Sequence, residues 1–172
     1  MITMDQSKKV ANNWSYLWPS LALNVLVGLI GTLLSMVIFF PVFFLIMTFI
    51  GESTANMILE SLTADSLDLS IMPYSALAVF LFIIVTYYII TFFVSKREFP
   101  RRYKKFAEQY ENADVSRFFH FTIGWMIGFL ALDFIISLTY YSGINSQLSS
   151  LAFSLSFLAV GYYGFMAGMK KI

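Results

Sequence analysis

WPSLALNVLVGLIGTLLSMVIFFPVFFLIMTFI, the stretch from Trp18 to Ile50, contains no charged residue and decides the fold class. About 20 such residues in a helix are enough to cross the ~30 Å hydrocarbon core of a bilayer. The whole chain of 172 residues follows this pattern, because 59% of it is hydrophobic and only 12% is charged, against about 25% charged residues in soluble domains. We therefore predict an all-α integral membrane protein that forms one domain over residues 1–172.

Three further apolar runs follow the first, so the sequence predicts a polytopic protein with four transmembrane helices. The predicted spans are residues 20–40, 73–94, 119–141 and 148–168. Pro41 is expected either to kink the first helix or to end the span, with Val42 to Ile50 continuing at a tilt or along the membrane interface. Asp114 or Ser116 is expected to cap the third helix.

Lysine and arginine are distributed unevenly among the connections. Two of the eleven precede the first span, seven lie in the loop at residues 95–118, and two follow the fourth span. The other two connections contain none. Because cytoplasmic loops of membrane proteins carry the excess of basic residues, both termini and this loop are predicted to be cytoplasmic.

The loop at residues 95–118 begins with the run KREFPRRYKK, which concentrates basic and aromatic side chains. Its six basic residues are Lys96, Arg97, Arg101, Arg102, Lys104 and Lys105. Phe99, Tyr103, Phe106 and Tyr110 recur at helical spacing, which predicts an amphipathic helix from Pro100 to Glu111 on the inner leaflet. Alternatively, the aromatic side chains pack against the inner ends of the spans.

Two interpretations of the positive charge in this run remain open. In one, the six basic residues simply fix the topology of the chain. In the other, they also bind anionic lipid headgroups, which attract them with ~1 kcal/mol per residue. A segment held against an anionic leaflet is a poor candidate for nucleic-acid binding, and none is predicted.

Asp133 is the sharpest candidate for a functional residue, because it is a carboxylate within the third predicted span. Such a residue costs ~2.5 to 3.5 kcal/mol on insertion scales and marks a functional site by default. Ser137 and Tyr140 share its helical stripe and complete a candidate partner or ion site. A hydrogen-bonded structural acid is the alternative to proton or cation handling or the binding of another subunit.

The other spans contain no lysine, arginine or histidine that could neutralise Asp133 at its depth. Its partner within the chain is therefore expected to be a hydroxyl. The candidates are Ser35, Tyr87, Ser154 and Ser156.

Two GxxxG motifs favour close packing of the third and fourth spans, since glycine lets helix backbones approach. They consist of Gly124 with Gly128 and Gly164 with Gly168. Homodimerisation through the same glycines is the alternative. Asp133 lies roughly 140° to 180° around the helix from the first motif, so it is expected to face the first two spans or a partner protein.

Several classes of site are absent from the sequence. There is no cysteine, and His120 as the single histidine cannot by itself build a zinc or haem site. The outer connection at residues 51–72 holds four acids without the spacing of a calcium loop, and a short helix is expected near Ala55 to Leu62. No catalytic motif is found. We predict a protein without enzymatic activity, cofactor or metal.

Four features of the chain resemble a family of bacterial inner-membrane proteins, domain-of-unknown-function family 2569. They are the entry WSYLWP at Trp14 to Pro19, the passage REFPRRY at Arg97 to Tyr103, the intramembrane Asp133, and the basic end at Lys170 and Lys171. The resemblance covers almost the whole chain. It implies a four-span protein of the bacterial inner membrane and no particular activity.

Three functions are compatible with these features. The leading hypothesis is a non-catalytic accessory protein, a small subunit or stabiliser of a larger membrane complex, because packing glycines and one intramembrane acid suit interaction with another membrane protein or with a second copy. The second is a small proton- or cation-linked transporter or channel that uses Asp133. The third is a bacteriocin immunity protein.

Overall fold

The computed structural model describes residues 8–51, 53, 56, 74–140 and 144–172. The helices in this part of the chain are α1 (Asn13–Ile50), α2 (Tyr74–Gln109), α3 (Val115–Tyr140) and α4 (Ile144–Met169). Three segments are long and apolar enough to cross a membrane: Asn13–Leu45, Val115–Ile136 and Leu151–Met169. The prediction of an all-helical chain with segments able to span a bilayer is thus confirmed for the described residues.

The four helices form a bundle in which each helix packs against two main neighbours. Helices α1 and α4 both contact α2 on one side and α3 on the other. The bundle is packed tightly at one end, here called the inner end, which carries residues 8–12, residues 110–114 and the C-terminus. Tyr16, Phe99, Phe118 and Phe165 are at most 1% exposed there. Residues 131–136 of α3, toward the opposite or outer end, are all exposed.

Helix α1 is one continuous element of 38 residues, which corresponds to about 57 Å at 1.5 Å per residue. Its N-terminus carries a reciprocal capping box between Asn12 and Ser15. The helix passes through Pro41 and stops only at Gly51, whose φ of 97° suits a residue without a Cβ. The helix therefore continues past Pro41, and the kink or the end of the span expected there stays a prediction.

The prediction of a separate helix from Pro100 to Glu111 on the membrane surface is corrected by the structure. Helix α2 runs without interruption from Tyr74 to Gln109 and includes Pro100, which removes only one helical N–H donor. The aromatic face turns into the bundle. The ring of Phe106 lies 4.7 Å from that of Tyr16, and the ring of Phe99 lies 5.5 Å from that of Phe118. The alternative, packing against the inner ends of the helices, is confirmed.

The segment before α1 crosses the inner end and is fixed there by hydrogen bonds. The Lys9 N–H donates to the Gln109 carbonyl at 3.0 Å, and the Glu111 N–H donates to the Lys9 carbonyl at 3.1 Å. The Asn112 side chain accepts from the Ala11 N–H at 2.5 Å and donates to the Ala11 carbonyl at 3.2 Å. These contacts join the N-terminus to the α2–α3 loop.

Two tyrosine hydroxyls hold the same loop from inside the bundle. The Tyr16 hydroxyl donates to the Asn112 carbonyl at 3.3 Å and accepts from the Asp114 N–H at 3.0 Å. The Tyr103 hydroxyl donates to the Ala113 carbonyl at 3.1 Å. Burial, with smaller contributions from Tyr16 and Asp114, raises the pKa of Tyr103, so this phenol remains a hydrogen-bond donor at neutral pH.

The starts of α3 and α4 each lie four residues before the predicted starts of the third and fourth spans. Asp114 caps α3, since its Oδ1 accepts from the Ser116 N–H at 2.8 Å. Helix α4 begins at Ile144, before the expected start at residue 148. The turn residues 141–143 and nearly all of the helix expected near Ala55 to Leu62 lie outside the described residues.

Candidate functional site

A cavity of about 360 Å³ lies among the four helices and is the candidate site. Its volume falls within the ~300–1,000 Å³ that is usual for small-molecule pockets. Its walls are mainly aromatic and aliphatic, with polar groups from all four helices. The polar side chains in the lining are Asn24, Tyr87, Thr91, Ser95, Asp133 and Ser154.

Asp133 contributes its carboxylate to this lining from α3. Its Oδ2 accepts a hydrogen bond from the Ser154 hydroxyl of α4 at 2.5 Å, so a hydroxyl partner is found, and Ser154 was one of the four candidates. Among the residues that the structure describes, no lysine, arginine or histidine lines the cavity. Asp133 is therefore the one group in the described lining with a formal charge.

The other two members of the predicted site are not placed by the structure in the same detail. Ser137 and Tyr140 belong to α3 by their backbones. Their side chains lie outside what the structure describes. Their grouping with Asp133 stays a prediction from helical spacing.

Thr91 and Ser95 are the two hydroxyl-bearing residues of the cavity lining that the sequence analysis missed. Their hydroxyls are at most 1% exposed and make no hydrogen bond of standard geometry, with the Tyr87 hydroxyl as a neighbour of Thr91. The other two buried serine and threonine residues in the described chain, Ser20 and Thr122, donate to carbonyls four residues earlier at 2.7 and 2.8 Å. Because buried polar groups in proteins are almost always satisfied, Thr91 and Ser95 are placed to bond something that enters the cavity.

The sequence contains a signal for this arrangement. Tyr87, Thr91 and Ser95 follow one another at intervals of four in a stretch whose only other polar side chain is that of Tyr88, which places them on one face of a helix. A polar stripe along a membrane helix normally faces protein or a cavity rather than lipid. The spacing therefore predicts the face, although it does not predict that the two inner hydroxyls lack partners.

An aromatic cluster lies between the cavity and the inner end of the bundle. Phe165 lines the cavity, and its ring lies 5.9 Å from that of Phe99. Phe99 in turn contacts Phe118 and Phe119 at 5.5 and 6.1 Å. Near this cluster a hydrogen bond links α1 to α3, since the side-chain amide of Asn24 donates to the Thr122 carbonyl at 2.9 Å. The cavity is thus backed by tightly packed side chains on its inner side.

No protein-family model matches this chain, and no curated protein or solved structure is detectably similar to it. The family resemblance suggested by the sequence accordingly remains a prediction.

The predicted packing of the two GxxxG motifs against each other is wrong. A Cβ built on Gly124 or Gly128 meets no atom within 4 Å, and both glycines are exposed. Gly164 and Gly168 do pack closely, but against α2. A Cβ on Gly164 would lie 2.7 Å from the Ser95 Cβ, and one on Gly168 would lie 3.0 Å from the Lys96 carbonyl oxygen.

The contact between α3 and α4 uses a different glycine. A Cβ on Gly161 would overlap the side chain of Met126. Asp133 also faces α4, through Ser154. The expected orientation of α3 is therefore reversed: the side with Asp133 packs toward α4, and the side with Gly124 and Gly128 faces away. Helical spacing sets the angle between the two sides but not which neighbour each one meets.

The predicted lipid-contact residues lie on the inner extension of α2, the part of the helix at residues 95–109 that follows its apolar segment. Lys104 and Lys105 are exposed, and Arg102 is half-buried. The Nε of Arg97 lies 3.9 Å, and the Nη1 of Arg101 lies 3.2 Å, from the Oε1 of Glu98. The Lys96 ammonium lies 5.7 Å from the centre of the Phe92 ring. The four exposed basic residues thus lie on the side of α2 away from its buried aromatic face, and the two half-buried ones, Lys96 and Arg102, lie at the edges of that face.

Replacing Thr91 by valine is expected to raise the thermal stability of the purified protein. The substitution keeps the shape of the side chain and removes a buried hydroxyl without a partner, which costs ~1 to 3 kcal/mol in a folded protein. The matched control is Thr122→Val, which removes a buried hydroxyl that is already bonded and is expected to be neutral or destabilising. Thermal unfolding in detergent measures both. A loss of stability in Thr91→Val equal to that of the control would contradict the assignment.

Proposed function

We propose that this chain is a four-span protein of a bacterial inner membrane, with the apolar part of α2 as its fourth span and both termini in the cytoplasm. It acts without chemistry of its own, as a small proton- or cation-linked transporter or channel in which Asp133 is the binding group. Lys104 and Lys105, both exposed, contact anionic headgroups of the inner leaflet.

One observation carries this proposal: the carboxylate of Asp133 lines a cavity that also contains two buried hydroxyls without partners. A structural acid that only stabilises a helix pair needs no cavity beside it. An acid in a cavity can exchange its proton or a bound cation with what enters there. The support comes from this combination, since either feature alone is common.

The test is flux through the purified full-length chain in liposomes. Proton or monovalent-cation movement above that of protein-free vesicles, lost when Asp133 is replaced by asparagine, is the expected result. Well-folded protein that moves neither would contradict the proposal.

A second candidate is the accessory protein expected from the sequence. It is favoured by the open surface at Gly124 and Gly128, since a Cβ on either glycine would meet no atom of this chain within 4 Å, and glycine pairs of this kind support helix association. Purification of a tagged chain in mild detergent tests it. A partner protein recovered in equal amount, and lost on Gly128→Leu, would support this role, whereas recovery of the chain alone would count against it.

A further inference from the structure

We infer that the cavity binds an organic monocation with an apolar body and a hydrogen-bonding group at its far end. This inference rests on the proposed function and names the class of ligand. It combines three observations that follow: the single charge of the lining, the aromatic wall beside that charge, and the position of the two hydroxyls without partners.

The charge of the described lining selects the sign and number of charges on the ligand. Asp133 is the one ionisable acid or base among the residues that line the cavity, apart from the phenol of Tyr87. A charge taken out of water is costly unless it is paired. A ligand with one positive charge satisfies Asp133, whereas a dication leaves one charge without a counterpart and an anion leaves both its own charge and that of Asp133 unpaired.

The aromatic wall beside Asp133 favours an organic cation over a small inorganic ion. Tyr87 stacks with Phe153 and Phe157, with ring centres 6.5 and 5.8 Å apart, and all three line the cavity. Phe153 immediately precedes Ser154, the partner of Asp133. Aromatic faces attract ammonium groups by up to ~2 kcal/mol when desolvated. An inorganic ion would use the carboxylate and leave most of the apolar wall without contacts.

The two hydroxyls set the length and the far end of the ligand. Tyr87 lies at the level of Asp133, because it contacts the residue next to Ser154. At 1.5 Å per residue along α2, Thr91 and Ser95 lie about 6 and 12 Å from Tyr87 in the direction of the inner end. A hydroxyl or amide at that distance from the ammonium would supply the hydrogen bonds that these side chains lack.

The test uses three probes that separate charge from hydrogen bonding: phenethylammonium, tyramine and the neutral 2-phenylethanol. Binding to the purified full-length chain is measured by calorimetry. Phenethylammonium is expected to bind at least tenfold more tightly than 2-phenylethanol. Asp133→Asn should remove this difference and leave 2-phenylethanol unaffected. Tyramine, with its added phenol, is expected to bind about fivefold more tightly than phenethylammonium, a gain of ~1 kcal/mol, which Thr91→Val should remove.

The inference is overturned if the cationic and neutral probes bind equally, or if Asp133→Asn binds phenethylammonium as the wild type does. It is also overturned, while the proposed function stands, if protons or inorganic cations cross the membrane through Asp133 and no probe binds. Asp133-dependent probe binding by a protein that moves no ion would support the inference and contradict the proposed function.

Discussion

Replacement of Asp133 by asparagine is expected to reduce proton or cation flux in proteoliposomes to the level of protein-free vesicles. Asparagine keeps the size of the side chain and its hydrogen bond with Ser154, but it can neither carry a proton nor balance a cation. Asp133→Glu is expected to keep a measurable fraction of the flux. The measurement is the fluorescence of an internal pH or cation indicator after a gradient is imposed.

Two further variants make this result specific to Asp133. Glu108→Gln removes an exposed acid from the inner extension of α2 and is expected to leave the flux unchanged. Ser154→Ala removes the hydrogen-bond partner but keeps the charge, so a partial reduction is expected. Full flux in Asp133→Asn, with the variant folded and present at the same density, would contradict a role of this carboxylate in transport.

Replacement of Gly164 by alanine is expected to be the most destabilising single methyl addition in the bundle. The added Cβ would lie 2.7 Å from the Ser95 Cβ and 2.9 Å from the carbonyl oxygen of Phe92. Neither atom belongs to a flexible side-chain end, so α2 and α4 must separate. Overpacking of this kind costs ~1 to 3 kcal/mol.

Gly124→Ala is the matched control for this substitution. It adds the same methyl group to a membrane helix at a position where a Cβ meets no atom within 4 Å, and alanine is the better helix former. Unchanged or slightly higher stability is expected. Thermal unfolding in detergent compares the two variants. Equal effects in both would contradict the assignment of Gly164, rather than Gly124, to the helix interface.

Much of the fold follows from the sequence because hydropathy is averaged over many residues. The uncharged stretch from Trp18 predicts a membrane helix whatever its neighbours are, and the structure places α1 there. The type of partner that Asp133 finds could also be predicted, since the other spans contain hydroxyl groups and no basic residue. Such inferences depend on the residues present rather than on how the helices are rotated.

The wrong predictions concern features that depend on how each helix is rotated about its axis and on which neighbours it packs against. Gly124 and Gly128 form the same motif as Gly164 and Gly168, and nothing local distinguishes a motif at an interface from one that is exposed. The aromatic stripe of α2 is equally suited to a headgroup region and to the bundle. The burial of Phe99 and Phe106 depends on contacts with rings of the other helices, which the sequence of α2 does not specify. Hydroxyls such as Thr91 usually bond their own helix, so the lack of a partner has no sequence signature.

Labelling of a single cysteine at position 91 tests whether Thr91 lines a cavity that cations enter. The chain has no cysteine of its own, so Thr91→Cys introduces the only thiol. A membrane-impermeant, cationic methanethiosulfonate is added to the full-length chain in liposomes, with Gly128→Cys as the control on the open face of α3. We expect the thiol at position 91 to react faster than the control and phenethylammonium to slow this reaction. A thiol at position 91 that reacts no faster than the one at position 128 would show that cations do not reach Thr91.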